Sequence, residues 1–267
     1  MNNHFFTVIT VCLNASAYIS RTVNSVMRQS CTDFEYIIKD GGSIDGTLDI
    51  VRELTGDDER VKIISEPDSG IYDAMNSALS QAEGKYIIFM NAGDGFSEKD
   101  VLMNVRENIL AFKPGFDIYY GDVIEVSNDE NLSEHVRIYS EKNSRMWYYS
   151  LGACLCHQTM FCRAELFSEK QFDLDFRVCA DKEWQMYHLK NKASACCLHM
   201  VVAKVLMQGF SSSNIALLEK ETKRCVDMYC SVFSRLLYRI IGVLKKNRSV
   251  HAMLTGAEAR VSTRKEV

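Results

Sequence analysis

The stretch Phe34-Glu-Tyr-Ile-Ile-Lys-Asp-Gly-Gly-Ser-Ile-Asp-Gly-Thr47 runs from an apolar segment into a loop of glycines and acids. Residues 34–38 have the composition of a buried strand, and the loop that follows is made of typical turn residues. Residues 47–54 then predict a helix. A buried strand that passes through such a loop into a helix is half of a βαβ unit, so this stretch indicates an α/β fold.

The same pattern repeats along the chain. Continuous apolar runs predict strands buried on both faces of a sheet at residues 6–12, 61–65 and 86–90. A helix capped by Asn14 or Ser16 and another at residues 71–81 separate them. The pattern continues less regularly, with predicted helices at 99–111 and 180–189, strands at 116–120, 159–162 and 195–207, and a loop-rich insertion at 123–150. The sequence therefore predicts a Rossmann-like, doubly wound mixed sheet flanked by helices.

The chain of 267 residues is long enough for one large α/β domain and a C-terminal appendage. We expect a domain at residues 1–214, with a nucleotide-binding half at 1–95 and an acceptor-binding half at 96–214. Residues 215–267 form a predicted helical tail. This tail carries 11 basic and 5 acidic residues, whereas the remainder carries 20 basic and 30 acidic residues. An acidic body argues against nucleic acid as a partner.

The tail has an amphipathic stretch at residues 233–248. Its apolar residues fall on one helical stripe, with basic residues on the opposite side and just beyond: Phe233, Leu236, Leu237, Ile240, Ile241 and Leu244 against Arg235, Arg239, Lys245, Lys246 and Arg248. A basic amphipathic helix is typical of proteins that bind an anionic membrane surface. The alternative is that the stripe packs on the core or on a second subunit in a homodimer.

The first residues lack the basic segment and cleavage site of a signal peptide. We therefore expect a cytoplasmic protein, with peripheral contact to the inner face of the membrane through the tail. Reduced thiols are then the natural state of the ten cysteines. A zinc site at Cys154, Cys156 and His157 is the alternative, although Cys-x-Cys-His lacks the usual spacing.

Acids and glycines follow four successive predicted strands. These strand ends are residues 11–14, Asp40 to Thr47, Glu66 to Asn76, and Asn91-Ala-Gly-Asp94. Ligands of open α/β sheets bind outside the carboxyl ends of the strands. A turn explains any one of these segments, but not all four at one edge, so the sequence predicts a ligand site there.

The chemistry of this edge points to a diphosphate held by a metal. Neither a P-loop nor a Gly-x-Gly-x-x-Gly motif is present. An acidic pocket needs a divalent cation, Mn²⁺ or Mg²⁺, to hold a diphosphate, and Asp94 is placed to be its ligand. The alternative for Asp94 is a cap of a helix starting near Ser97.

These four motifs resemble those of the family 2 glycosyltransferases, inverting enzymes with the GT-A fold. The resemblance implies that Val11, Leu13, Asn14, Asp40 and Ser43 line the nucleotide. Val11 and Leu13 would contact the base, and Asp40 the base or ribose. Asp68 would approach the nucleotide, and Asn91 the ribose. Residues 91–94 would replace the Asp-x-Asp metal motif, with Asp94 as the metal ligand.

The resemblance also implies roles on the acceptor side. Asp122 and His157 would line the acceptor cleft. Asp181 would be the catalytic base that takes the acceptor proton, with Glu183 as second choice; a helix cap is the alternative for Asp181. Residues 208–213 resemble a loop that closes over the donor phosphates.

The sequence thus predicts a glycosyltransferase of the hexosyltransferase type. Its donor would be a nucleotide-diphosphate sugar, UDP-linked in our prediction, and its acceptor a saccharide or lipid-linked saccharide in polysaccharide or glycolipid synthesis. The alternatives are a nucleotidyltransferase and a non-catalytic sugar-nucleotide binding protein. A nucleotidyltransferase would carry a glycine-rich, basic signature after its first strand, which is missing from residues 11–16.

Overall fold

The computed structural model describes residues 4–127, 133–207 and 214–244. One mixed sheet forms the centre of this part of the chain, in the order β3-β2-β1-β4-β8-β6-β9-β5, and β7 pairs with β6. The strands are β1 (His4–Cys12), β2 (Phe34–Asp40), β3 (Val61–Ser65), β4 (Gly84–Phe89), β5 (Gly95–Phe96), β6 (Ile118–Val126), β7 (Glu134–Arg137), β8 (Met160–Arg163) and β9 (Ala195–Leu206).

The first half of the sheet is parallel and brings its strand ends together. β1 pairs with β2 and with β4, and β2 pairs with β3. The register places Cys12 opposite Asp40, and Asp40 opposite Ser65. The loops after β1, β2 and β3 therefore start at the same level, as the sequence predicts. Helices α1 (Ile19–Met27), α2 (Thr47–Thr55) and α3 (Ile71–Leu79) connect these strands.

The predicted cap of the first helix is wrong. Helix α1 begins at Ile19 without a side-chain cap. Asn14 instead adopts a left-handed backbone conformation (φ 49°), and its Oδ1 accepts a hydrogen bond from the Ile44 backbone. Ser16 donates its backbone N–H to Asp45. Both residues connect the loops after β1 and β2, which the local sequence pattern could not reveal.

The second half of the sheet differs from the sequence prediction in residues 99–150. The predicted helix is shorter, because α4 (Val101–Glu107) passes into a π-helical turn at Asn108–Phe112. β6 continues to Val126 and pairs with β7, so part of the expected loop-rich insertion is sheet. A bulge near Asp122 interrupts the pairing of β6 with β9. The short helix α5 (Met146–Ser150) follows.

Four further helices cover the second half of the sheet. They are α6 (Ala164–Glu169), α7 (Ala180–Lys190), α8 (Ile215–Tyr229) and α9 (Val232–Leu244). Although the predicted domain boundary at residue 214 precedes α8, this helix packs on α7 and buries Glu221, Thr222, Cys225 and Val226. Within the described ranges, no helix has both the length and the apolar character needed to cross a bilayer. Residues 208–213 and 245–248 lie outside the described residues.

Candidate active site

Hydrogen bonds hold the loops after β1 and β2 against each other. Asn14 donates its backbone N–H to Ser43 Oγ at 2.7 Å, and Ala15 donates to Thr47 Oγ1 at 2.8 Å. Asn14 and Ser43 are both predicted nucleotide ligands, and their polar atoms form hydrogen bonds between the two loops. The result is one wall at the carboxyl ends of two neighbouring strands.

Asp40 organises this wall from inside. Its Oδ2 accepts hydrogen bonds from the backbones of Gly42 and Ser43, both at 3.0 Å, and from Ser65 Oγ at 2.8 Å. Burial acts to raise the pKa of the Asp40 carboxyl, but these hydrogen bonds outweigh it and the pKa lies below its ordinary value. Asp40 is fully buried. The predicted direct contact with base or ribose does not match this geometry, because the carboxylate faces the loop backbone.

The loops after β1, β2 and β3 meet around Gly41, and we call the surface between them the cleft. Leu13 is 56% exposed, whereas Val11 is buried within β1, so of these two predicted base contacts the structure exposes only Leu13. Gly41 lies between Leu13 and Asp68. A Cβ atom on Gly41 would lie 2.7 Å from Asp68 Oδ2 and 3.4 Å from Leu13 Cδ1, so a larger residue would displace these side chains.

A buried lysine fixes Asp68 at this cleft. Lys39 Nζ donates to the backbone oxygens of Asp40 and Glu66, at 3.0 and 2.6 Å, and lies 3.4 Å from Asp68 Oδ2. The ammonium group balances the charge of Asp68 in a largely water-free position. Asp68 Oδ1 accepts from the Gly70 backbone at 3.1 Å, which fixes the start of α3.

The turn Asn91-Ala-Gly-Asp94 follows β4. Thr22 of α1 donates to the Asp94 backbone oxygen at 2.6 Å and accepts from the Gly93 backbone at 2.9 Å. Gly93 has a φ of 99°, a conformation that favours glycine. Asp94 is buried and caps no helix, because the short strand β5 follows it. Its Oδ1 accepts from the Leu206 backbone at 3.0 Å.

Burial raises the pKa of the Asp94 carboxyl, against the hydrogen bonds from Gln158 and Leu206. The Gln158 bond, Nε2 to Asp94 Oδ2, measures 2.7 Å. At the other end of the turn, the Asn91 amide Nδ2 lies 2.9 Å from His157 Nε2, and Asn91 Oδ1 is buried without a hydrogen-bond partner. A buried amide oxygen without a partner is costly, which makes Asn91 Oδ1 a candidate ligand atom.

Asp181 lies in the first turn of α7, between Tyr72 of α3 and His157. Tyr72 Oη lies 2.9 Å from Asp181 Oδ1 and 3.0 Å from the Val178 backbone oxygen. His157 Nδ1 lies 3.3 Å from Asp181 Oδ2. Because the Asn91 Nδ2 amide can only donate to His157 Nε2, the ring proton is on Nδ1 and faces Asp181.

The Asp181 carboxylate is stabilised in its charged form. Burial acts to raise the pKa of Asp181, but the interactions with His157 and Tyr72 outweigh it and hold the pKa below its ordinary value. Its side chain is 16% exposed. Asp181 therefore combines a charged carboxylate, a fixed orientation and partial access from solvent, which suits a proton acceptor.

Two other predicted acids are not brought to this position. Glu183 is fully buried on α7 and contacts Lys170 and Tyr229. Asp122 is buried on β6, where its Oδ1 accepts from the Tyr139 backbone at 2.7 Å, and burial raises its pKa. Tyr139 Oη in turn accepts from the backbone of Cys156, the residue before His157, at 3.1 Å. Asp122 thus supports the His157 segment without a direct contact to it.

The adjacent residues His157 and Gln158 join the two chemical ends of the site. Gln158 contacts Asp94, and His157 contacts Asn91 and Asp181. Two adjacent residues thus contact the carboxylate after β4 and the carboxylate on α7. Within the described ranges, no group of three or more His, Cys, Asp or Glu side chains could hold a metal. The Cys154, Cys156 and His157 set is therefore not a zinc site there.

The mixed α/β sheet flanked by helices is the GT-A fold. The chain belongs to glycosyl transferase family 2, whose sequence profile matches residues 7–167. The family and the fold predicted from the four motifs are thereby confirmed. The matched region includes Asp40, Asp94 and His157 but ends before Asp181.

A relative in Mycobacterium tuberculosis, a PGL/p-HBAD biosynthesis glycosyltransferase, is 32% identical over 242 residues, which cover 88% of this chain and 89% of the relative. Staphylococcus aureus TarS 1–349, solved with UDP-GlcNAc, is similar in structure (TM-score 0.66, 18% identity, 93% of this chain and 75% of TarS 1–349). So is the mannosyltransferase PcManGT of Pyrobaculum calidifontis, solved with GDP-Man and Mn²⁺ (TM-score 0.58, 14% identity, 94% and 83%).

Proposed function

We propose that this glycosyltransferase is an inverting enzyme that transfers a sugar from a UDP-sugar to a hydroxyl group. The observation that carries the proposal is the pair of adjacent residues His157 and Gln158, which contact Asp181 and Asp94 respectively. An inverting transfer needs a base on the acceptor side and charge stabilisation on the diphosphate side, and these two acids supply the two functions.

We assign the nucleotide to the cleft between the loops after β1, β2 and β3. The exposed Leu13 side chain would pack on the base, and Asp68 would face the nucleotide beside Gly41. Asn14, Asp40 and Ser43 contribute mainly by fixing the loops, because their polar atoms are bonded there. The UDP-GlcNAc held by TarS supports a uridine nucleotide as donor.

A divalent cation, Mn²⁺ or Mg²⁺, fits this site if the diphosphate supplies most of its ligands. Asp94 supplies a carboxylate directly after β4, and Mg²⁺ commonly binds one or two carboxylates together with substrate phosphates. The unpartnered Asn91 Oδ1 is a second oxygen for the metal or the ribose. When bound, the cation would neutralise charge on the departing diphosphate. The Mn²⁺ bound to PcManGT supports this assignment.

The transfer itself uses Asp181 as general base. The acceptor oxygen attacks C1 of the sugar, the bond from C1 to the diphosphate oxygen breaks, and the acceptor proton passes to Asp181. The diphosphate leaves with the bonding electrons. Tyr72 and His157 orient the carboxylate, and the remaining lone pairs of its oxygens are free to accept the proton.

We infer a saccharide or lipid-linked saccharide as the acceptor, because the M. tuberculosis relative acts in PGL/p-HBAD biosynthesis. A lipid-linked acceptor would agree with the surface of α9, where Phe233 is 76%, Leu236 56% and Ile240 49% exposed. These residues form one apolar stripe, and Lys245 and Lys246 follow in sequence. We propose that this stripe contacts the inner face of the membrane.

Release of UDP separates the proposed function from its alternatives. Purified protein is incubated with MnCl₂, a panel of UDP-, GDP- and dTDP-sugars and simple saccharide acceptors. We expect acceptor-dependent release of UDP and a glycosylated product. Pyrophosphate release from UTP and a sugar phosphate would indicate a nucleotidyltransferase. Binding of UDP-sugar without turnover on any acceptor would favour the non-catalytic alternative.

A further inference from the structure

Helix α8 contributes a buried carboxylate to the start of the helix that carries Asp181. Glu221 is 5% exposed. Its Oε1 accepts a hydrogen bond from the Arg177 backbone, and its Oε2 accepts from the backbones of Val178 and Cys179, all at 2.9 Å. These N–H groups precede α7 and have no partner within that helix, so Glu221 takes the place of a local capping side chain.

Tyr72, which contacts Asp181, also contacts the turn at residues 177–179 that Glu221 holds. Tyr72 Oη lies 3.0 Å from the Val178 backbone oxygen and 2.9 Å from Asp181 Oδ1. The N–H of Val178 bonds to Glu221, while its carbonyl faces Tyr72. The backbone of Val178 therefore links Glu221 to Tyr72. Its position affects the contact between Tyr72 and Asp181, which lies three residues further along the chain.

Other contacts fix α8 at the same place. Lys182, next to Asp181, donates to Thr222 Oγ1 at 3.2 Å and to the Gly152 backbone oxygen at 2.7 Å. Cys179 Sγ lies 3.6 Å from Thr222 Oγ1. The buried face of α8 is thus built around the beginning of α7, although α8 lies beyond the region that the family profile matches.

We propose that Glu221 is a positioning residue for the transfer reaction: its carboxylate holds residues 177–179 so that Asp181 keeps its place beside Tyr72 and His157. This inference rests on the proposed role of Asp181 as the base. A carboxylate suits the task because it can accept three N–H bonds at once. A displacement of about 1 Å at a catalytic group can reduce the rate by about 100-fold.

The test is a double-mutant cycle with Glu221→Gln and Asp181→Asn. Glutamine keeps the size of the side chain but has one acceptor oxygen for three donors. We expect Glu221→Gln to bind UDP-sugar as the wild type does and to lose roughly 10- to 100-fold in kcat. In the Asp181→Asn background the same substitution should have no further effect on kcat, because no base is left to position.

An equal loss in kcat in both backgrounds, or no loss in the Glu221→Gln protein, would overturn the proposal. The control is Glu219→Gln, the same chemical change at an exposed position of α8, which should leave kcat unchanged. If Glu221→Gln does not fold, Glu221→Asp takes its place, since it keeps both oxygens on a shorter side chain. Full transfer by the Asp181→Asn protein would instead refute the base assignment of the proposed function.

Discussion

Tyr72 Oη lies 2.9 Å from Asp181 Oδ1, although the two residues are 109 positions apart. Tyr72 belongs to α3, which begins directly after the loop of Asp68, and Asp181 belongs to α7. Four residues along α3, Asn76 exchanges two hydrogen bonds with the backbone of Phe172, at 2.9 and 3.0 Å. One face of α3 thus connects the loop of Asp68 with the segment that leads to Asp181.

Removal of the Tyr72 hydroxyl should change the pH dependence of transfer. Asp181 acts in its charged form, and the interactions with His157 and Tyr72 hold its pKa below the ordinary value. Tyr72→Phe removes one of them, so the pKa of Asp181 rises. The acidic limb of the kcat/KM profile should then move to higher pH, because the hydrogen bond from the Tyr72 hydroxyl favours the charged carboxylate.

The matched control is Tyr187→Phe. It removes a hydroxyl from α7 and keeps the contacts of Asp181 with Tyr72 and His157. A Tyr72→Phe profile that coincides with the wild-type profile would show that the hydroxyl does not stabilise the reacting carboxylate.

Leu13 should contribute to nucleotide affinity without contributing to stability. Its side chain is 56% exposed, so Leu13→Ala should leave Tm unchanged. Loss of apolar contact with the base should weaken UDP binding about three- to tenfold, or about 1 kcal/mol, with or without metal. Ile44→Ala is the control, because Ile44 is 92% exposed in the neighbouring loop. UDP affinity is measured by calorimetry. Equal affinity of Leu13→Ala and wild type would show that Leu13 does not contact the nucleotide.

Asp94 should carry the metal-dependent part of donor binding. Asp94→Asn keeps the shape of the side chain but loses the charge that a divalent cation prefers. We expect the gain in UDP affinity on addition of MnCl₂ to disappear in this variant, while affinity without metal stays close to that of the wild type. Glu98→Ala, an exposed acid near the same turn, should keep the full gain. Isothermal titration calorimetry measures the UDP affinity with and without MnCl₂. An undiminished gain in affinity for Asp94→Asn would refute the assignment of Asp94 as metal ligand.

The α9 stripe should bind anionic membranes. We expect the full-length protein to sediment with phosphatidylglycerol vesicles at low salt and to stay in solution with purely zwitterionic vesicles. Leu236→Asp should abolish sedimentation, whereas Leu110→Asp should not, although these leucines are similarly exposed at 56% and 53%. Wild-type protein that stays in the supernatant contradicts the membrane contact. A dimer that Leu236→Asp converts to a monomer would assign the stripe to a second copy.

The sequence was most informative where local pattern determines structure. Buried strands that end in acidic, glycine-rich loops predict both the parallel half of the sheet and the edge at which Asp40, Asp68 and Asp94 gather. The segment at residues 123–150 was harder to predict, because β6 pairs there with the distant strand β9 as well as with β7. The strand there depends on tertiary pairing more than on propensity.

The direction of individual side chains could not be predicted from the sequence. Asp40 faces inward because three donors surround it only after the chain has folded. The contacts of Tyr72 and Gln158 with the acids, and of Glu221 with the turn before Asp181, likewise could not be predicted, since they span between 42 and 109 residues.

The most direct test of the account is the rate of transfer by Asp181→Asn. Asparagine keeps the volume of the side chain and loses its ability to take the acceptor proton. We expect unchanged affinity for the UDP-sugar, a Tm close to that of the wild type, and a loss of roughly 10²- to 10⁴-fold in single-turnover transfer. A variant that melts at a lower temperature but transfers sugar at the normal rate once folded would contradict the account, because Asp181 would then stabilise α7 without acting as the base.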